Sequence, residues 1–305
     1  MKQDRGFVLV NALVLVTAMA AVAVFLLARA EAGRVRLEQR QGADQITYYL
    51  DGFDALAVTL LNRDGRSGEA VDHLNEAWAK PDYAVPVDRG QIAGQISDLQ
   101  GRFNLNWLAD ASNTRARAAF DPLMARIGVS PQSAQAILAF VKSGGPDARQ
   151  AYLQLDPPID PVGGAMLMIE QLRDIPQLSD QDRARIGAVS AVLPGDSALN
   201  INTAPSAVLH SFVPELSLSV LEKILAPRAR TPFTSVDTFI ARLEATLGEE
   251  LDESFDAARF SVGSNWFGVT ATATLGPHTA RRRSVLHRKA FPIGTSVRWQ
   301  TTSRP

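Results

Sequence analysis

The sequence predicts an α+β fold: one long amino-terminal helix, a sheet drawn from both ends of the remaining chain, and a large all-helical block between those ends. Three observations carry it. Phe7 to Ala28 runs without a charged residue. Apolar residues at three- and four-residue steps continue beyond that run to about residue 64. Strand-like alternation occupies 80–106 and returns at 255–302, whereas 107–250 reads as short helices broken by Pro and Gly.

Composition sets the outer limits. With 305 residues, 46% hydrophobic and 21% charged, the chain can bury one large or two modest cores, which excludes global disorder. Thirty-one basic residues against 32 acidic ones exclude a surface built throughout for nucleic acid. The absence of cysteine removes disulfide frameworks, thiolate zinc sites and cysteine nucleophiles together.

In the first element only Asn11 and Thr17 interrupt the apolar run from Phe7 to Ala28. A helix of that length covers roughly 33 Å, about the hydrocarbon thickness of a bilayer. Lys2 and Arg5 precede it, so the bulk of the chain is expected across the membrane. The competing reading is a cleaved signal peptide, with small-x-small sites at Ala28-Arg29-Ala30 and Ala30-Glu31-Ala32. Against it, the run exceeds a usual signal core, and helical periodicity goes on through Ile46, Leu50, Phe53, Ala57 and Leu61. The spacing predicts a helix of about fifty residues, loosened at Gly33, Gly42 and Gly52.

Strand character follows at Ala84–Val87, Gly90–Leu99 and Gly101–Asn106. Within the helical block, Val129-Ser130, Leu178-Ser179 and Leu216-Ser217 each precede an apolar residue seven positions after the serine, namely Ile137, Ile186 and Ile224. Each serine is expected to cap a helix whose buried face carries that isoleucine. Strands are expected again at Arg259–Val262, Trp266–Leu275, Arg281–Arg288 and Thr295–Thr301.

The leader Met-Lys-Gln-Asp-Arg-Gly, residues 1–6, followed by Phe7 and a spanning helix, resembles the type IV pilin and pseudopilin class. That resemblance implies cleavage by a prepilin peptidase between Gly6 and Phe7, methylation of the new terminus, an inner-membrane span at 7–28 and a periplasmic carboxy-terminal domain. It places Asn11 at the fifth mature position, where most members keep a glutamate. A carboxylate buried among apolar helices needs a partner charge. Asn11 avoids that requirement and gives up the pairing.

The segment Gly101-Arg-Phe-Asn-Leu-Asn-Trp-Leu108 resembles the signature of the K minor pseudopilins of type II secretion. Membership would imply an antiparallel pseudopilin sheet from 80–106 and 255–302, with 107–250 as an inserted helical domain. The I and J minor pseudopilins would be partners at the pseudopilus tip, and no catalytic activity is expected. Asn202-Thr-Ala-Pro205 resembles a helix-hairpin-helix, SAM-like module near 199–243, found in DNA-binding proteins and K subunits alike. Its tip, Pro214-Glu215-Leu216, has a carboxylate and no glycine, so nucleic acid is not expected. The alternative function remains an envelope or secreted DNA-binding protein with a cleaved signal.

Related K subunits bind calcium through an acidic run that aligns here with Ala139-Phe-Val-Lys-Ser-Gly144. The acids are missing and Lys142 brings a cation, so that site is expected to be lost, with Asp147 and Asp156 the nearest substitutes. His73, His210, His278 and His287 lack ligand-pair spacing, and no cofactor or catalytic set is expected. The acidic run of Glu249, Glu250, Asp252, Glu253 and Asp256 lacks the calcium-loop spacing and reads as a solvated face. Arg281, Arg282, Arg283, Arg288 and Lys289 fit either a polar strand face or a patch for anionic partners.

Overall fold

The structure, a computed structural model, describes residues 4–67, 70–88, 90–251 and 255–304. Helix α1, Asp4–Gly65, is continuous over 62 residues. The expected loosening at Gly33, Gly42 and Gly52 is not seen. An isolated glycine costs only about 1 kcal/mol in a helix, too little to interrupt a helix secured along its length.

The two halves of α1 lie in different surroundings. Leu9–Arg34 has mean hydropathy 2.5 and nothing of it is buried within the protein. The Thr17 hydroxyl donates to the Leu13 and Val14 carbonyls, so it asks nothing of lipid. Further down, Ile46, Leu50, Phe53, Ala57 and Leu61 are buried against the sheet. At about 1.5–3 kcal/mol for each large side chain, that stripe holds the lower half to the folded domain.

The sheet has five strands: β1 (Tyr83–Val87), β2 (Gly90–Asp98) and three that come much later in the chain. With these three numbered β7 (Trp266–Leu275), β8 (His278–Arg288) and β9 (Thr295–Ser303), the order is β1-β2-β7-β8-β9, antiparallel throughout. Strand β7, Trp266–Leu275, buries every second side chain, so Phe267, Val269, Ala271, Ala273 and Leu275 meet α1. At Gly94 any Cβ would stand 2.6 Å from the Phe53 ring, so glycine is what lets the helix lie this close to β2.

Between the adjacent strands β2 and β7 the chain leaves the sheet and builds the helical block. It opens with β3 (Phe103–Asn104) and a 3-10 turn at Leu105–Ala109, where the sequence pattern suggested a longer strand. Next come α2 (Thr114–Arg126), α3 (Pro131–Val141), α4 (Gln150–Leu153) and α5 (Asp180–Val189). Two short strands that the pattern did not show follow, β4 (Ser190–Ala191) and β5 (Leu199–Asn200). Then come α6 (Ser206–Phe212), α7 (Leu218–Leu225), α8 (Val236–Leu247) and β6 (Phe260–Ser261). Strands β3 with β4 and β5 with β6 form parallel two-residue pairs that close the base of the block. The chain re-enters the sheet at β7 and ends with β8 (His278–Arg288) and β9 (Thr295–Ser303).

The block has its own core, in which Phe103, Phe120, Leu209, Phe212, Phe239 and Phe260 are all buried. Ser130 and Ser179 cap α3 and α5 by accepting from the Ser133 and Asp182 amides, as expected. Ser217 does not: its hydroxyl lies against Ser219, and α7 has no side-chain cap. Ile137, Ile186 and Ile224 are buried in all three units.

Candidate functional site

Two regions hold the chemistry that the sequence singles out: the apolar half of α1 and the joint where the block leaves the sheet. Gly6 and Phe7 fall in the first turns of α1, and their side chains lie outside the described residues. Asn11 is exposed on the helix among Leu9, Val10, Leu13 and Val14.

The joint is polar and fully interlocked. Asp98, at the end of β2, accepts at one oxygen from Thr203 at 2.6 Å, Ser264 at 2.6 Å and the Asn200 amide at 3.0 Å. Burial raises the Asp98 carboxyl above the usual range, with the Ser264 and Thr203 donors opposing the rise. Asn200 also donates to the Asp72 carbonyl at 3.1 Å and the Ser264 hydroxyl at 2.9 Å, which links three distant stretches of chain. Two residues on, the Asn202 amide pairs with the Phe233 backbone in both directions, at 3.0 and 2.9 Å, and so docks the second half of the hairpin module.

The Gly101–Trp107 signature serves the same joint. Asn104 donates to the Pro194 carbonyl at 2.8 Å and accepts from the Leu193 amide at 3.1 Å. Asn106 donates to the Met166 and Leu193 carbonyls and accepts from the Met166 amide. Trp107 Nε1 donates to the Ser197 carbonyl at 3.1 Å. These asparagines are buried because they satisfy loop backbone that would otherwise be orphaned. Their work is architectural.

The hairpin tip between α6 and α7 turns Val213 and Leu216 into the core and leaves Glu215 exposed. Its apolar groups face inward and a carboxylate faces out, the opposite of a phosphate grip.

Metal chemistry finds little support in the donor sets. Lys142 Nζ lies 3.5 Å from Asp147, both exposed. Asp156 is exposed, and Asp160 pairs with Arg149 at 2.7 Å. Arg149 also donates to the Gly144 carbonyl at 2.5 Å, so a guanidinium bridges this loop. Residues 139–144 themselves bring no carboxylate to it. Asp64, Asp72 and Glu76 do bring carboxylate oxygens within 4.8 Å of one another, a grouping the sequence does not announce. Arg288 already donates to Asp64 at 2.6 Å and to Asp72 at 2.6 Å, and Glu76 accepts from Trp78 and from the His73 amide. This is an ion-pair network at the foot of α1. Burial first, and then the Asp64 and Asp72 charges, push Glu76 up to about 8.

The basic run is divided by strand alternation. Arg282 turns inward to Asp51 and Asp54, and Arg288 is held by Asp64 and Asp72, which leaves Arg281 and Arg283 on the outer face. The four histidines stay apart, with His210 against Arg126, His278 against Gly42 and His287 stacked on Trp266 at 4.0 Å. In the acidic run Glu249 and Glu250 are exposed, Asp256 caps Ala258, and Asp252 and Glu253 lie outside the described residues.

Comparison with known proteins agrees with this architecture. Two family models described as type II secretion system protein K match residues 101–195 and 199–262, together just over half of the chain. Type II secretion system protein K of Pseudomonas aeruginosa is 29% identical, covering 93% of this chain and 87% of its own length. The proteins of that name from Pectobacterium carotovorum and Aeromonas hydrophila are each 27% identical and are covered over 93% and 94% of their lengths. Among solved structures, a chain of the GspK-GspI-GspJ complex of enterotoxigenic Escherichia coli superposes with a TM-score of 0.74 at 22% identity, over 88% of this chain and all of that one.

Proposed function

This chain belongs to the type II secretion system protein K family, and from that premise we propose that it is the minor pseudopilin at the tip of the pseudopilus, assembled with the I and J minor pseudopilins and supporting protein secretion across the outer membrane. The carrying observation is the insertion of a block with its own core between two adjacent, directly paired strands. A body at that place crowds the space where a further subunit would stack, while the pseudopilin sheet and α1 stay free to pack below.

The mechanism is assembly. Residues 7–28 anchor the chain in the inner membrane as a single pass, after the prepilin peptidase cuts between Gly6 and Phe7. The domain from the lower half of α1 onward lies in the periplasm. Asn11 contributes no carboxylate to the helix bundle, so the chain joins the filament without the usual charge pairing. No residue takes a catalytic role, and no metal or nucleic acid is needed.

Mass spectrometry of the mature amino terminus tests this reading together with co-purification. A methylated Phe7 start and a stable complex with the I and J partners are expected. A start near Glu31 or Gly33 would mean a cleaved signal and overturn the anchor, and a lack of association with I and J would overturn the tip assignment.

A further inference from the structure

The outer face of the sheet, away from α1, meets the helical block along a narrow seam of Leu99, Val285, Trp266 and Trp299 against Ala191 and Leu193. Beside the seam a cavity of about 580 Å³ opens between the sheet and α5 with its preceding 3-10 turn, Ile169–Asp174. Its lining carries four arginines, Arg102, Arg173, Arg183 and Arg283, against two carboxylates, Glu170 and Asp180.

The polar groups there are incompletely matched. Arg102 donates through Nη1 to the Gly187 carbonyl at 3.0 Å, and burial together with the nearby Arg283 charge lowers its pKa. Arg283 reaches Glu170 Oε1 only at 3.4 Å, and the buried Glu170 Oε2 has no partner among the described residues. Ser190 is 1% exposed, and among the described residues its hydroxyl is also without a partner. The long Arg283–Glu170 contact leaves a half-exposed guanidinium and a carboxylate that a ligand can match better than they match each other.

The mixture decides the ligand class. A bare anion would use the guanidiniums, yet it would be repelled by the Glu170 carboxylate beside them. An extended peptide with an acidic side chain supplies both halves, a carboxylate for the arginines and a backbone N–H for Glu170. We propose that this groove binds an acidic peptide segment of a partner protein, with its carboxylate bridging Arg102 and Arg283 and a backbone amide donating to Glu170. The inference stands on the groove alone and does not depend on the tip assignment.

The test uses the full chain in detergent micelles and a fluorescein-labelled octapeptide of alternating valine and glutamate, with the glutamine analogue and inorganic phosphate as comparators. The acidic peptide is expected to bind at least roughly ten-fold tighter than its amide analogue, with Arg283→Gln and Arg102→Lys each weakening it by roughly five-fold or more. Arg281→Gln, on the same face outside the cavity, is expected to change binding by less than about two-fold. Glu170→Gln separates the ligand classes, because it weakens a peptide that donates to the carboxylate and tightens a simple anion. Absence of binding at millimolar peptide, equal loss with Arg281→Gln, displacement by equimolar phosphate or tighter binding by Glu170→Gln would each overturn the proposal.

Discussion

Arg282 on β8 and Asp54 on α1 face each other at 3.4 Å, with side chains only 3% and 7% exposed. Asp51 joins the same guanidinium from nearer the surface, and Ser284 donates to Asp54 at 2.9 Å. Here, as at the Asp64–Arg288 contact lower on the helix, charge replaces the apolar stripe between helix and sheet. Removing one member of a buried pair strands the other, at a cost of about 3–5 kcal/mol. Arg282→Ala is therefore expected to lower the urea midpoint strongly, whereas Arg281→Ala and Arg283→Ala, on the face away from α1, change stability by less than about 0.5 kcal/mol. Equal effects of the three substitutions would refute the alternation argument.

The contrast within that triplet shows what the sequence conveyed. The apolar run and its three- and four-residue continuation contain α1 almost entirely, because one amphipathic helix is a local pattern. Residues 101–106 misled, since Phe103 and Leu105 alternate with polar neighbours as a strand would. In fact Asn104 accepts from the Asn106 amide at 3.1 Å, and that local bond diverts the chain into a 3-10 turn. Ser217 looked like a cap by position, yet a hydroxyl partner nearby takes its side chain. The groove and the Asp64–Asp72–Glu76–Arg288 network are assembled from segments far apart in the chain. Only the alternation of Arg281 to Arg283 hinted at which arginines would face away from α1.

Metal dependence follows from Arg149. Its guanidinium holds Gly144 and Asp160 together, so the 142–164 loop has an internal cation. A tightly bound calcium ion at a hundred times its dissociation constant would add about 2.7 kcal/mol. EDTA is expected to leave the melting temperature within about 1 °C, and Arg149→Met to lower it by about 2–4 °C, the shift that roughly 1 kcal/mol produces in a domain of this size. A large EDTA effect on the purified chain would show a metal site elsewhere.

The foot of α1 gives the chain a pH dependence of definite sign. Glu76 is raised to about 8 from an ordinary 4.5, chiefly by burial. The folded state thus holds its proton more tightly than the unfolded state, and this contribution is fully present below about 4.5 and lost as pH rises through about 8. Thermal midpoints of the natural chain should fall between pH 6 and pH 9 more steeply than those of Glu76→Gln, which keeps the Trp78 bond without titrating. Parallel curves would mean that Glu76 ionises freely in the fold.

Tip confinement has two candidate causes, Asn11 and the helical block, and the sheet register allows them to be separated. Asp98 pairs with Phe267, and the Leu99 amide donates to the Trp266 carbonyl at 3.0 Å, so β2 and β7 are already neighbours at the point where the block leaves. Replacing residues 99–266 with Asn-Gly should close them as a two-residue hairpin. The α1 stripe that covers the sheet stays intact apart from the loss of the Asp98 network. Asn11→Glu alone restores a carboxylate that a neighbouring terminal amine can meet, yet the block still obstructs the next subunit. Immunogold labelling of overproduced pseudopili should then show that variant only at ends. The blockless chain carrying Asn11→Glu should label along the shaft, and the blockless chain with Asn11 retained should do so far less, because its helix lacks the charge pairing. If the blockless Asn11→Glu chain folds by circular dichroism and still labels only ends, neither the block nor the missing carboxylate sets the position, and the cap must lie in the contacts with its I and J partners.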